Sequence, residues 1–252
     1  KHIGTGTQKV EEELHALFPG AKVLRMDTDT VGASHGHEKL LRQFEEEKIP
    51  ILLGTQMVAK GLDFENVTLV GVLCADASLY IDNYRAPERT FSLLSQVVGR
   101  AGRGSKQGRA IIQTFTPENE VIRAAAAQDY DAFYESEIRM RRLRRYPPFA
   151  DLFSFTVTGA DESRVIRAAK ALRDALGYAV ERREELKPLS IEVLGPAGAS
   201  VVKVNNRYRY RVFLVGKGCP ALRRLVAEYL YAFYQHKENR GLDIFADCNA
   251  IQ

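Results

Sequence analysis

Residues 51–75, ILLGTQMVAKGLDFENVTLVGVLCA, decide the fold of the first half of the chain. Two continuous apolar runs, ILLG (51–54) and VTLVGVLCA (67–75), flank a polar loop. Unbroken apolar runs, unlike alternating ones, suit strands of a parallel sheet covered on both faces. AKVLRM (21–26) and GRAIIQTF (108–115) supply two more strand patterns, and helical patterns lie between them. Thr5-Gly6-Thr7-Gln8 reads as a capping box that opens a helix with Val10, Leu14, Leu17 and Phe18 inward. Pro19-Gly20 stops it. A second helix runs from about His37 to Glu47, and a third follows Pro87 and ends in the glycines of QVVGRAGRG (96–104). This alternation predicts an α/β doubly wound layer, which binds ligands in loops at the carboxyl ends of its strands.

Pro117 to about Arg145 reads as one long helix, acidic at its start (Glu118, Glu120) and arginine-rich at its end, as the helix dipole favours. YPPF (146–149) breaks it. Beyond it the rhythm changes. LFSFTVT (152–158) alternates as a strand, a helix spans about Glu162 to Glu185, and SIEVLG (190–195) is a strand. Gly195-Pro196-Ala197-Gly198 reads as a turn, VVKV and RYRYRVFLVG (207–216) as a hairpin. A helix from Ala221 to Tyr234 and the strand LDIFAD (242–247) complete a small α+β unit, with helices on one face of a mixed or antiparallel sheet. Residues 1–117 therefore form a first domain, 118–149 a helix and linker, and 150–252 a second domain.

A length of 252 residues at 45% hydrophobic content suffices for these cores, and no low-complexity tract interrupts them. No run is long and apolar enough to span a bilayer, and no signal peptide follows Lys1, so the sequence reads as a soluble intracellular piece of something longer. Cys74, Cys219 and Cys248 are scattered and form no CxxC pair; they read as buried free thiols. His35 and His37 lack partners at ligand spacing, so no metal site is expected. Lys+Arg and Asp+Glu balance at 20 each through residue 150, while residues 151–252 carry 16 against 12, a weak pointer to an anionic partner.

Chemistry concentrates in two loops. In GTQMVAKGLD (54–63), Thr55 and Gln56 can donate to a phosphate or base, Lys60-Gly61 adds charge and a permissive backbone, and Asp63 can accept from a ribose hydroxyl. A solvated strand-to-helix loop is the plainer reading. In QVVGRAGRG, Arg100 and Arg103 lie three apart, beside glycines that allow close approach. Guanidinium forks fit phosphates and stabilise charge in phosphoryl transfer; the plainer reading is a helix end whose arginines answer the dipole.

Together, Thr55–Asp63 and Gln96–Arg103 resemble motifs V (TxxxxRGxD) and VI (QxxGRxGR) of superfamily 2 helicases, with Lys60 in place of the usual arginine, which keeps charge but loses the fork. IGTGTQKVEEEL (3–14), VLRMDTDT (23–30), YRAPERTFSLLSQVVGRAGRG (84–104), RRYPPFADL (144–152) and GPAGASVVKVNNRYRYRVFLVGK (195–217) narrow the resemblance to the primosomal replication-restart helicases.

The resemblance implies a RecA-like second helicase lobe followed by a domain similar in fold to ribosomal protein S10. It implies Arg100 and Arg103 as arginine fingers, Gly61, Asp63 and Gln96 facing the nucleotide, and Thr55, Gln56 and Lys60 facing DNA or coupling it to ATP. The family is a bacterial, cytoplasmic, nucleoid-associated ATP-dependent DNA helicase of three-prime to five-prime polarity that recognises stalled forks. Its expected partners are forked and single-stranded DNA, single-stranded DNA-binding protein, and primosome and helicase-loader proteins. ATP and Mg would be held mainly by a first lobe, and zinc by a cysteine-rich segment, both outside this chain. In agreement, no GxxxxGK[ST] occurs, and the only Asp-Glu dipeptide, 161–162, is in the second half. The chain alone is therefore expected not to hydrolyse ATP.

Three further stretches carry charge or rings. In RYRYR (207–211), a strand places Arg207, Arg209 and Arg211 on one face and Tyr208 and Tyr210 on the other. With Lys203, this is a DNA or acidic-peptide strip, or else a solvated face over a tyrosine core. Arg139, Arg141, Arg142, Arg144 and Arg145 form a basic helix end, read first as a solvated terminus and second as a DNA-facing one. Tyr229, Tyr231 and Tyr234 read as helix packing. The competing functions are a non-catalytic DNA- and protein-binding module and another superfamily 2 helicase lobe.

Overall fold

The computed structural model describes residues 6–26, 36–55, 67–99 and 108–250. They divide into two compact units: one holds residues up to Ile81 and Arg85–Tyr134, the other Asp82–Tyr84 and residues from Glu135 onward.

In the first unit, α1 (Thr7–Leu17) precedes β1 (Val23–Met26), then α2 (Gly36–Glu46) and β2 (Ile51–Gly54). β1 and β2 pair in parallel, Val23 opposite Ile51 and Met26 opposite Gly54. Arg25 ties β1 to α1 through Glu11 at 2.8 Å. The capping box does not form as predicted. The N-cap is Gly6, which has no side chain to accept a bond, and the helix starts at Thr7. Val10 and Leu14 are half-buried, whereas Leu17 and Phe18, expected inward, are 71% and 53% exposed. They stand at the end of the helix, where the chain turns away at Pro19-Gly20.

β3 (Leu69–Val72) and β4 (Arg109–Ile112) form a second parallel pair, Leu69 opposite Arg109. A sheet covered on both faces was expected. Among the described residues there are instead two separate two-stranded ladders, and in β3 and β4 one face stays open. α3 (Ala86–Val98), with Pro87 in its first turn, packs Phe91 and Leu94 into a core with Ala75, Ile122, Ala125 and Phe133.

The helix predicted from Pro117 to Arg145 is two helices, α4 (Glu120–Ala127) and α5 (Tyr130–Leu143). Gln128 takes a left-handed conformation (φ 55°) and closes α4, and the Asp129 carboxylate then accepts from Ala132 N at 2.9 Å, opening α5. The break lets Phe133 stack on Phe91, with ring centroids 4.2 Å apart. It also sends the Gln128 amide to the Ser95 carbonyl at 3.2 Å. Gly99, the C-cap of α3, leaves room for that amide, since a Cβ there would lie 3.0 Å from it.

The second unit is a two-layer sandwich. β5 (Asp151–Gly159), β6 (Glu192–Val204), β7 (Arg207–Gly216) and β8 (Asp243–Cys248) form an antiparallel sheet in the order β6-β7-β5-β8. α6 (Glu162–Arg182) and α7 (Pro220–Gln235) pack into the core on one face. Val165, Ala169, Leu172, Leu176 and Ala179 recur at helical spacing along α6 and meet Phe153, Phe155 and Val157, which alternate along β5. Each large side chain so buried contributes about 2 kcal/mol.

The turn expected at Gly195–Gly198 is not made. β6 runs on as one strand with two register shifts, and Gly195 absorbs the first at φ +100°, where a Cβ would sit 2.7 Å from the Arg211 carbonyl. The reversal comes at Asn205-Asn206, both at positive φ, a two-residue hairpin between Val204 and Arg207. The cysteines are free, but none is buried as expected: Cys248 is exposed, and Cys74 and Cys219 are half-exposed. Cys219 has a local role instead, accepting from Leu222 N at the start of α7.

Candidate nucleotide and nucleic-acid site

Two elements of the first unit carry the described members of the predicted sites, Thr55 for DNA and Gln96 for the nucleotide. β2 ends at Gly54 and presents Thr55, exposed, at its carboxyl end, where parallel sheets gather ligands. α3 presents Gln96, also exposed, on its last turn and is capped by Gly99. Gln56, Lys60, Gly61, Asp63, Arg100 and Arg103 lie outside the described residues.

The first unit also holds a buried residue that sequence reasoning missed. Asp76, 6% exposed, sits in a short 3-10 helix (Ala75–Ser78) after β3. Its carboxylate accepts from Thr116 Oγ1 at 2.6 Å, Thr114 Oγ1 at 2.8 Å and Phe115 N at 2.9 Å. Burial alone would raise its pKa, but the donors Thr116, Phe115 and Thr114 outweigh burial and hold it at about 2. Asp76 thereby ties the exit of β3 to the exit of β4. A T-F-T stretch after a strand, with an acid after the neighbouring strand, was the only signal for it.

The second unit holds the RYRYR strip. Its alternation is as expected: Tyr208 and Tyr210 pack against the core, and the arginines take the opposite face of β7. Tyr210 donates to Glu162 at 2.8 Å, and that bond, with burial, raises its pKa. The arginines are largely engaged. Arg207 pairs with Asp243 and reaches the Thr158 carbonyl at 3.2 Å. Arg209 donates to the Val201 carbonyl at 2.9 Å. Arg211 is only 8% exposed, opposite Thr156 of β5, and burial lowers its pKa against the pull of Asp82 and Asp247. Lys203, expected with the arginines, is instead the cross-strand partner of Tyr208 and lies over its ring at 4.8 Å, on the tyrosine face of the sheet. A solvated arginine face, one of the two readings of the sequence, does not describe Arg211.

Other features were not read from the sequence at all. Asp82–Tyr84 belongs to the second unit: the Tyr84 ring lies 5.7 Å from that of Tyr146, with the Arg141 guanidinium 5.5 Å from its centroid. A cavity of about 610 Å³ opens between Arg207, Tyr234, Lys237 and Arg240. Among the described residues no cluster of His, Cys, Asp and Glu could hold a metal ion, and no helix is long and apolar enough to cross a membrane.

Residues 4–105 match a family model described as "Helicase conserved C-terminal domain", and residues 142–249 one described as "Primosomal protein N C-terminal domain". The replication restart protein PriA of Bacillus subtilis is 41% identical over 249 residues, covering 99% of this chain and 30% of that protein. Its namesake in Synechocystis is 40% identical over 214 residues (85% and 25%), and that of Treponema pallidum 38% over 233 (92% and 34%). The chain belongs to the PriA family. It spans between a quarter and about a third of the length of these PriA relatives. Its first unit is accordingly a RecA-like helicase lobe of α/β class, and the PriA C-terminal model covers nearly all of its antiparallel sandwich.

Proposed function

We propose that this chain contributes the second lobe and C-terminal domain of an ATP-dependent DNA helicase that unwinds three-prime to five-prime at stalled forks and restarts replication by primosome assembly. The observation that carries this reading is the tandem of helicase and primosomal family matches in one chain, at 41% identity to a replication restart protein. In it, Arg100 and Arg103 stabilise the charge developing on the transferred phosphoryl group, and Gly61, Asp63 and Gln96 line the nucleotide. Thr55, Gln56 and Lys60 face the DNA strand. Arg207 and Arg209 are the more accessible members of the C-terminal strip, with Arg211 supporting them from within the sheet, and Lys203 offers a separate cation on the tyrosine face. ATP, Mg and zinc would be held by a first lobe and a cysteine-rich segment. Single-stranded DNA-binding protein and helicase-loader proteins would be partners, and the setting is the bacterial cytoplasm at replication forks.

The test is ATP hydrolysis. The purified chain should show no DNA-stimulated turnover. Joined to a lobe carrying the phosphate loop, it should, and Arg103→Ala should then lower the rate about a thousandfold. Turnover by the chain alone, lost in Arg103→Ala, overturns the division of labour. A second reading, a non-catalytic module for DNA and replication proteins, is favoured by the lack of any GxxxxGK[ST] in the sequence. It predicts that Arg103→Ala leaves ATP hydrolysis by the joined protein unchanged. Another superfamily 2 lobe is disfavoured by the match over 142–249.

A further inference from the structure

The stretch Arg139-Met140-Arg141-Arg142-Leu143-Arg144-Arg145 holds five arginines and no acid. The structure sorts them into two groups. Arg141 bonds Glu137 at 2.7 Å and lies by Tyr84; Arg145 bonds Glu192 at 2.5 Å and the Ser190 carbonyl at 2.7 Å. Arg145 thus fastens the end of α5 to the sandwich, and Arg141 is committed to its own helix and to Tyr84. Arg139, Arg142 and Arg144 are exposed and meet no carboxylate among the described residues. Among the described residues Arg139 reaches the Glu135 carbonyl of its own helix, and Arg142 lies 4.9 Å from the centre of the exposed Phe149 ring. Leu143, 78% exposed, stands among them.

An arginine near a helix end satisfies the dipole and the last carbonyls, which accounts for one such residue and not three. Three guanidiniums kept clear of acids, beside an exposed aromatic ring, are the elements of a surface that tracks a polyanion and stacks its bases. We propose that Arg139, Arg142, Arg144 and Phe149 form a contact site for single-stranded DNA, with the guanidiniums on successive phosphates and Phe149 under a base. The site is separate from the β7 strip, and it rests on the reading of this chain as part of a DNA helicase.

The test titrates fluorescent oligo(dT) into the intact chain across a range of salt. In R139A/R142A/R144A, affinity should fall at least tenfold near physiological salt. The log–log salt slope should shrink by about 2, as expected for three lost phosphate contacts on a single strand. The triple lysine variant should keep the slope. Phe149→Ala should weaken binding severalfold at every salt concentration without changing the slope. If the intact chain binds and the triple alanine variant binds equally, with equal slope and unchanged thermal midpoint, this inference falls alone. If the intact chain binds no DNA, the DNA contacts of the functional reading fall with it. If the variant loses polyglutamate binding but keeps DNA, the surface serves an acidic peptide and the proposal is overturned.

Discussion

Arginine supplies three of five residues in RYRYR of β7 and five of seven at the end of α5, yet their surroundings differ. On the strand, period-two geometry sends Arg207, Arg209 and Arg211 to one face, where neighbouring strands offer acceptors: Asp243, the Thr158 carbonyl and the Val201 carbonyl. On the helix, successive side chains fan around a cylinder, so Arg145 meets the sandwich and Arg141 meets Glu137 and Tyr84, while Arg139, Arg142 and Arg144 meet no carboxylate among the described residues. A count of basic residues cannot distinguish the two cases; the backbone period does. Engaged charges should be read out in stability, and unengaged ones in binding.

The sharpest test of the engaged class is Asp76. Asp76→Ala strips three donors of their acceptor and should cost about 3 kcal/mol in urea unfolding. The sign of the pH effect follows from its pKa, about 2 in the folded state against an ordinary 3.8. Its contribution is complete above about pH 4 and is lost as pH falls toward 2, so the variant should show less acid destabilisation in that window. Unchanged stability at neutral pH would show that engagement carries no weight here. Next comes Arg211→Ala, expected to cost about 2 kcal/mol with no change in the DNA salt slope. A reduced slope with intact stability would move Arg211 into the binding class and erase the contrast. The smallest effect belongs to Arg209→Ala, whose guanidinium is partly committed to Val201. Its DNA affinity should fall less than threefold; a loss as large as that of the α5 triple variant would reverse the ranking of the two surfaces.

Much of this was legible before the structure. The strands over 51–54 and 152–158, the helix after Pro87 and the split of RYRYR faces follow from local periodicity, which the backbone enforces residue by residue. What escaped depends on partners far along the chain. Gln128 gives no sign of a left-handed conformation, although Asp129 before Tyr130 was an available N-cap signal for a second helix. The continuity of β6 through Gly195-Pro196 depends on β7 lying alongside, and the sequence there shows only turn residues. Asp76 looks like any loop acid until β4 brings Thr114 and Thr116 to it.

The placement of Asp82–Tyr84 has a consequence for where this chain can be divided. The polypeptide passes from the first unit to the second after Ile81, returns at Arg85, and leaves again after Tyr134. No single cut separates the two halves intact. A protease nick in the 134–135 region leaves residues 82–84 on the first fragment, and a piece beginning at Glu135 forfeits the ring on which Tyr146 and Arg141 rest. The backbone crosses between the two units three times, and the first two crossings come immediately before the helix that leads in sequence to Arg100 and Arg103.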